Sequence, residues 1–322
     1  MRYAVALLAA ALLVAGAPGC GGDGAEPGAP DGATLVLDFM PNAAHSGIYA
    51  AERRGHYEDA GIRLQIREPG QSTDAPKLLE AGRATFAILD IQDLGIARER
   101  GLDVVGLAPI VNRPLASIIA RADGGVRRPR DLMARTVGVT GLPSDDAVVD
   151  SAVAADGGDP GRVNRVTIGF NAVASLAAGR VDAATGFRNA EAVALRRRGI
   201  PIRVFPVERY GAPPFPELVL VASRATIERD PELVDAVLTA TRRGYALAAR
   251  RPGRALDDLL TAVPALDRAD QAAQLRVLLP AIRPTPFDAA VLREWAAWAR
   301  RHAILERHPK VEETFLLSRR RD

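Results

Sequence analysis

The 322-residue sequence has a single cysteine, Cys20, which excludes an intrachain disulfide and a thiolate metal cluster. Four scattered histidines leave no ligand spacing for a zinc site, and no metal is expected. Lysine is nearly absent: of 42 basic residues only Lys77 and Lys310 are lysine. Formal net charge is only +3, too small for a strong non-specific pull on a polyanion, so nucleic acid is not an expected partner. Aromatics make up just 5% of the chain. No Walker A, G-x-S-x-G or H-E-x-x-H motif occurs, which removes the common nucleotide, serine-hydrolase and zinc-protease chemistries. Asp145-Asp146 and Asp257-Asp258 are adjacent in helical sequence and do not face each other, so neither is a paired acid/base site. No catalytic residue is expected.

Long apolar runs are also missing after the first residues. Met1-Arg2 is followed by an apolar run from Tyr3 to Ala17, shorter than the roughly twenty residues that span a bilayer. It suits the apolar region of an export signal. The run ends in Gly16-Ala17-Pro18-Gly19-Cys20, which resembles a bacterial lipoprotein signal. On that resemblance residues 1–19 are a signal peptide and Cys20 the lipid attachment point that tethers the chain to the membrane. Residues 20–32, rich in Gly, Pro and Asp, read as a flexible linker.

What is present is regular alternation of short apolar runs with helical patterns. Strands are expected at 34–39, 62–66, 86–89, 104–110, 136–139, 163–168, 183–185, 202–205 and 218–222. Helices are expected between them at 46–54, 74–81, 94–100, 145–155, 172–178 and 190–198. From residue 226 onward the pattern is mainly helical, including 231–250, 268–279 and 288–302. This is an α/β fold with largely parallel sheets, and the length gives a prior of two domains.

Open α/β sheets bind ligands beyond the carboxyl ends of their strands, so the loops there carry the candidates. Pro41-Asn42 marks a turn into a helix that runs through His45 and Tyr49; His45 reads equally as a helix-start residue bonded to the backbone. Ser144 is an expected N-cap, as is the Gln71-Ser72-Thr73-Asp74 stretch. Phe187-Arg188-Asn189-Ala190-Glu191 and the segment from Tyr210 to Glu217 place amide and carboxylate groups among aromatics. That combination suits a flat heterocycle, which stacks on rings and donates ring N–H or amino hydrogens; ordinary core aromatics are the alternative. Trp295 and Trp298 share one helix face and read as core, and Arg196-Arg197-Arg198 as a solvated helix end.

These segments together resemble one family, the bacterial substrate-binding proteins of ABC importers that are similar to the eukaryotic thiamine pyrimidine synthase. The matching stretches run from Leu37-Asp38-Phe39-Met40-Pro41-Asn42 with His45, Gly47, Ile48 and Tyr49, through Glu80-Ala81-Gly82-Arg83 and Ile110-Val111-Asn112-Arg113-Pro114. They continue with Thr136-Val137-Gly138-Val139, Ile168-Gly169-Phe170, Gly179-Arg180-Val181-Asp182-Ala183, Asn189 and Glu191, and Tyr210-Gly211-Ala212-Pro213. The resemblance covers about residues 34–250.

It implies a type II periplasmic-binding fold, two α/β lobes with a ligand cleft between them. Lobe one would comprise 33–114 and 223–322, and lobe two 115–222, with hinges near 112–117 and 219–223. It implies a small heteroaromatic ligand such as a thiamine pyrimidine precursor, and an ABC permease with its ATPase subunits as partners. The expected ligand-binding residues are Asn42, His45, Tyr49, Asp90, Ser144, Phe187, Asn189, Glu191, Tyr210 and Glu217. The family commonly has Trp where Phe39 stands. The synthase branch needs a pyridoxal-phosphate lysine, a sacrificial histidine and a cysteine cluster. Here Leu89 and Asp93 occupy the first two positions and no cysteine lies around 213–217, so no enzyme and no cofactor is expected. A sulfonate, nitrate or organic-acid ligand remains the alternative and would favour Arg113 or Arg188.

Overall fold

Parallel strands with helical crossovers need both faces covered, and the alternation in this sequence delivers two such sheets. The computed structural model describes residues 31–69 and 75–317; Cys20, the signal and the 71–74 stretch lie outside the described residues.

The first sheet holds β1 (Asp31–Val36), β2 (Ile62–Arg67), β3 (Phe86–Asp90) and β4 (Val104–Val111), in the order β2-β1-β3-β10-β4. The second holds β5 (Ala116–Arg121), β6 (Thr136–Val139), β7 (Asn164–Thr167), β8 (Ala183–Phe187) and β9 (Ile202–Pro206), in the order β7-β6-β8-β5-β9. β10 (Leu218–Ser223) returns to the first sheet between β3 and β4 and runs antiparallel to both. β5 does the same in the second sheet, antiparallel to β8 and β9. Each sheet therefore has one antiparallel strand in the same place, and in each case it is the first strand after the chain has crossed between lobes.

Three boundaries differ from the sequence reading. Residues 31 and 32, assigned to the linker, are the start of β1 and pair with Ile62 and Arg63. β5, whose first residues fall in the expected hinge at 112–117, is a full inner strand. β10 belongs wholly to the first sheet, so the return crossover ends before Leu218 rather than at residue 222.

The helices are α1 (Ser46–Arg53), α2 (Ala75–Glu80), α3 (Ile91–Glu99), α4 (Pro143–Ala155), α5 (Ala172–Ala177), α6 (Glu191–Arg197), α7 (Arg224–Arg229), α8 (Pro231–Arg250), α9 (Pro252–Ala262), α10 (Arg268–Leu278) and α11 (Ala289–Arg301). α1 and α8 approach closely because two glycines face each other. A Cβ at Gly244 would stand 2.0 Å from the Gly47 carbonyl oxygen, and one at Gly47 would stand 2.4 Å from the Tyr245 ring. The Tyr245 hydroxyl donates to the Ala44 carbonyl at 2.7 Å, which fixes the loop after β1. Trp295 and Trp298 of α11 are buried as expected: Trp295 Nε1 donates to Gln92 at 2.7 Å, and Trp298 packs on Phe215 in the return crossover. Among the described residues no helix is long and apolar enough to cross a membrane.

Candidate functional site

The strand arrangement decides where a site can be. The carboxyl ends of β1, β3, β6 and β8 and the beginnings of the antiparallel β5 and β10 all open toward the gap between the sheets. A cavity of about 140 Å³ lies there, lined from both lobes. Leu37, Asp38 and Phe39 come from the loop after β1, Asp90 from the end of β3, and Leu218 from the start of β10. Across the gap stand Ala116 and Ser117 of β5, Thr140 after β6, and Thr185 to Phe187 of β8. An apolar cavity of about 150 Å³ is known to take a benzene molecule, so this volume suits one six-membered ring better than a fused tricycle.

The polar lining is five carboxyl residues, the amides of Asn42 and Asn189 and the hydroxyls of Ser117, Thr140, Ser144 and Thr185. Ser117 Oγ donates to Leu115 O at 3.0 Å and Thr185 Oγ1 to Gly138 O at 3.4 Å, so both hydroxyl hydrogens are already used. The carboxyl groups are those of Asp38, Asp90, Asp93, Asp145 and Glu191. Asn189 is 2% exposed and its Oδ1 has no hydrogen-bond partner among the described residues. Among the described residues no lysine, arginine or histidine lines the cavity. Arg188, the candidate for an anionic ligand, is paired with Glu208, and Arg113 borders a separate groove beside Pro214 and Phe287.

Burial in this apolar setting disfavours charge. It pushes the Glu191 carboxyl up, although the Phe187 N–H donates to it at 2.7 Å. It likewise raises Asp145, whose carboxylate accepts from the Thr140 N–H at 2.6 Å and from the Thr140 hydroxyl. Asp93 is pushed up to about 6, first by burial and then by the charges of Asp145 and Asp38. Asp90 and Glu217 are hydrogen-bonded to one another, and burial raises both. Glu217 also accepts from the Leu115 N–H and, at 2.8 Å, from the Ala116 N–H.

Of the ten expected residues, six line the cavity: Asn42, Asp90, Ser144, Phe187, Asn189 and Glu191. The other four are placed elsewhere, each for a physical reason. His45 is fully buried in the turn before α1, with Nε2 2.8 Å from Asp38 Oδ1 and Nδ1 accepting the Asn42 N–H at 3.2 Å. It holds the loop and orients Asp38. Tyr49 lies one turn further along α1 inside the lobe-one core, where burial pushes its hydroxyl to about 12. Tyr210 packs edge to face on Phe205, with Asp156 and Arg128 acting on its hydroxyl. Glu217 is spent on the crossover N–H groups. Ser144 lines the cavity but does not cap: Leu142 is the N-cap and Pro143 occupies the first helical position, so Ser144 stands inside the helix.

Sequence reasoning missed Asp38, Asp93, Thr140 and Asp145 as lining groups. Phe39 and Phe170 also line the cavity and touch across it. A synthase-type cofactor does not fit: Leu89 presents an apolar side chain at the lysine position, and without an amine no imine can form. Among the described residues no group of three or more His, Cys, Asp or Glu is arranged to hold a metal ion.

Residues 42–255 match the NMT1/THI5-like family, which is well over half of the chain. The chain belongs to the NMT1/THI5-like family. A formylaminopyrimidine-binding protein of Halalkalibacterium halodurans is 31% identical over 87% of this chain and 88% of its own length. A 4-amino-5-hydroxymethyl-2-methylpyrimidine phosphate synthase of Legionella pneumophila is 26% identical, over 72% of this chain and 74% of its own. These two relatives are thus named as a binding protein and as an enzyme. In structure, the alkanesulfonate-binding protein SsuA of Xanthomonas axonopodis pv. citri superposes with a TM-score of 0.73 at 18% identity, covering 89% of this chain and 98% of SsuA. At that identity the likeness shows the fold alone, a type II periplasmic-binding fold with its cleft between two lobes.

Proposed function

We propose that this member of the family is the extracytoplasmic solute-binding component of an ABC importer. Its ligand is a single-ring, amino-substituted heteroaromatic nutrient of the thiamine pyrimidine-precursor kind, bound without covalent chemistry. The observation that carries this reading is a cleft lined by ring faces and carboxyl groups, with no cationic side chain among the described residues. Asp93 and Glu191 offer oxygens to N–H donors, Phe39 and Phe187 offer ring faces, and among the described residues no cationic side chain lines the cleft for an anion. The formylaminopyrimidine-binding relative supports the same choice over a sulfonate or nitrate. A ligand that touches both lobes favours their closed arrangement, which the permease and its ATPase subunits then recognise. Export behind residues 1–19 and lipid attachment at Cys20 complete the proposal; fatty-acid labelling lost in Cys20→Ser tests the anchor.

Thermal-shift measurement against aminopyrimidines, flavins, alkanesulfonates and nitrate tests the ligand class. A ligand at a hundred times its Kd adds about 2.7 kcal/mol of stability. The expected result is a rise in Tm with aminopyrimidines; a rise with sulfonate or nitrate and none with any heterocycle overturns the reading.

A further inference from the structure

The floor of the cavity and its mouth are built differently. Leu37, Leu89, Leu115, Ser117, Thr185 and Leu218 line it and are all buried. Phe170 lines the same cavity yet is 54% exposed, and Phe39 lines it half-buried, so these two rings stand between the cavity and solvent. They come from opposite lobes and touch edge to face. Hydrogen bonds within each loop hold them there. On one side of Phe39 the His45 ring pairs with Asp38 at 2.8 Å, and on the other Asn42 Nδ2 donates to the Met40 carbonyl at 3.0 Å. Phe170 sits in a tight turn. Gly169 before it has φ +55°, and Asn171 after it donates to the Ile168 carbonyl from its backbone N–H at 3.3 Å and from Nδ2 at 3.1 Å.

Volume decides what such a mouth admits. The cavity of about 140 Å³ holds one six-membered ring. Phe39 and Phe170 each fill a further ring-sized volume beside it. A fused tricycle needs three such volumes, and in the closed arrangement two of them are taken by these side chains.

We propose that Phe39 and Phe170 are the specificity-determining pair of the cleft: their contact across the lobes closes over a single ring and excludes a fused tricycle such as an isoalloxazine. A longer ligand keeps the two side chains apart, and lobes held apart there do not reach the closed arrangement. This rests on the heteroaromatic reading above and adds the residues that set ring size. A gate differs from a stacking surface in the sign of its loss. Removing a stacking ring weakens every flat ligand, whereas removing a gate strengthens the larger one.

Two probes of different size read that sign on the full mature protein: 4-amino-2-methylpyrimidine by calorimetry and lumiflavin by quenching of its fluorescence. The wild type is expected to bind the pyrimidine at least a hundredfold more tightly than lumiflavin. Phe39→Ala/Phe170→Ala is expected to bind lumiflavin at least tenfold more tightly than the wild type does, and the pyrimidine at least tenfold more weakly. Phe170→Ala alone, at an exposed position that leaves the fold intact, should gain part of the lumiflavin affinity. Phe170→Tyr keeps the ring and should keep the wild-type preference. Lumiflavin bound by the wild type as tightly as the pyrimidine, or more so, overturns the proposal. So does a folded Phe170→Ala that gains no lumiflavin affinity while the wild type still binds the pyrimidine; the heteroaromatic reading then stands. A wild type that binds neither ring overturns that reading and the proposal with it.

Discussion

Phe39 and Phe170 meet edge to face with ring centres 5.2 Å apart, although one belongs to the loop after β1 and the other to the loop after β7 of the opposite lobe. The contact is the aromatic closure of the cleft, and both rings line it. Phe170 is 54% exposed, so its burial is incomplete and is available to a ligand. Edge-to-face pairs contribute about 0.5–1.5 kcal/mol beyond area burial. Phe39→Ala removes this pair together with one ring face of the site. The expected loss of ligand affinity is about tenfold, measured by calorimetry, with little change in the Tm of the free protein.

The raised carboxyl of Asp93 sets a pH dependence of the free protein. Its folded value, about 6, lies above the unfolded value of 3.8. The folded state therefore holds the proton more tightly, and its contribution to stability is full below the unfolded value and lost as pH rises through the folded one. Thermal melts of the free protein between pH 4 and pH 7 are expected to show this loss. Asp93→Asn should flatten the dependence over the same window and raise the Tm at pH 7.

Glu217 belongs to the crossovers. Its carboxylate joins the N–H groups at the start of β5 to the beginning of β10 and to Asp90. Glu217→Ala leaves two buried N–H groups without an acceptor, at about 1–3 kcal/mol each. Chemical denaturation should report that cost in the absence of any ligand. Glu217→Gln retains one accepting oxygen and is expected to fall between the two.

Gly244 makes the α1–α8 crossing possible. With only 2.0 Å between its ideal Cβ position and a backbone oxygen, Gly244→Ala must drive the helices apart. Overpacking costs about 1–3 kcal/mol, occasionally more. The loop from Asn42 to His45 rests on this crossing through Tyr245, so affinity should fall along with Tm.

The alternation of elements was legible because apolar runs, helix-closing glycines and strand spacing are local signals, whereas the two-lobed fold followed from the family resemblance. β5 escaped because its short apolar run Ser117-Ile118-Ile119-Ala120 follows directly on a crossover, and such a run carries no period of its own. Phe187, Asn189 and Glu191 were legible because they cluster in one loop beyond one strand. Asp93 and Asp145 were not, since a carboxylate in the first turn of a helix has the same sequence signature whether it favours the helix dipole or faces a cleft. His45 and Tyr49 were misplaced for a related reason. They share the α1 segment with Asn42, but the segment is packed between its own sheet and α8, and only its leading edge reaches the cavity.

A crystal structure of the mature protein grown with 4-amino-2-methylpyrimidine tests the central claim most directly. The account expects one ring in the cleft between Phe39 and Phe187, with an N–H within hydrogen-bond distance of a carboxyl group that lines it. A ring bound elsewhere, or an empty cleft beside a measurable affinity, would contradict it.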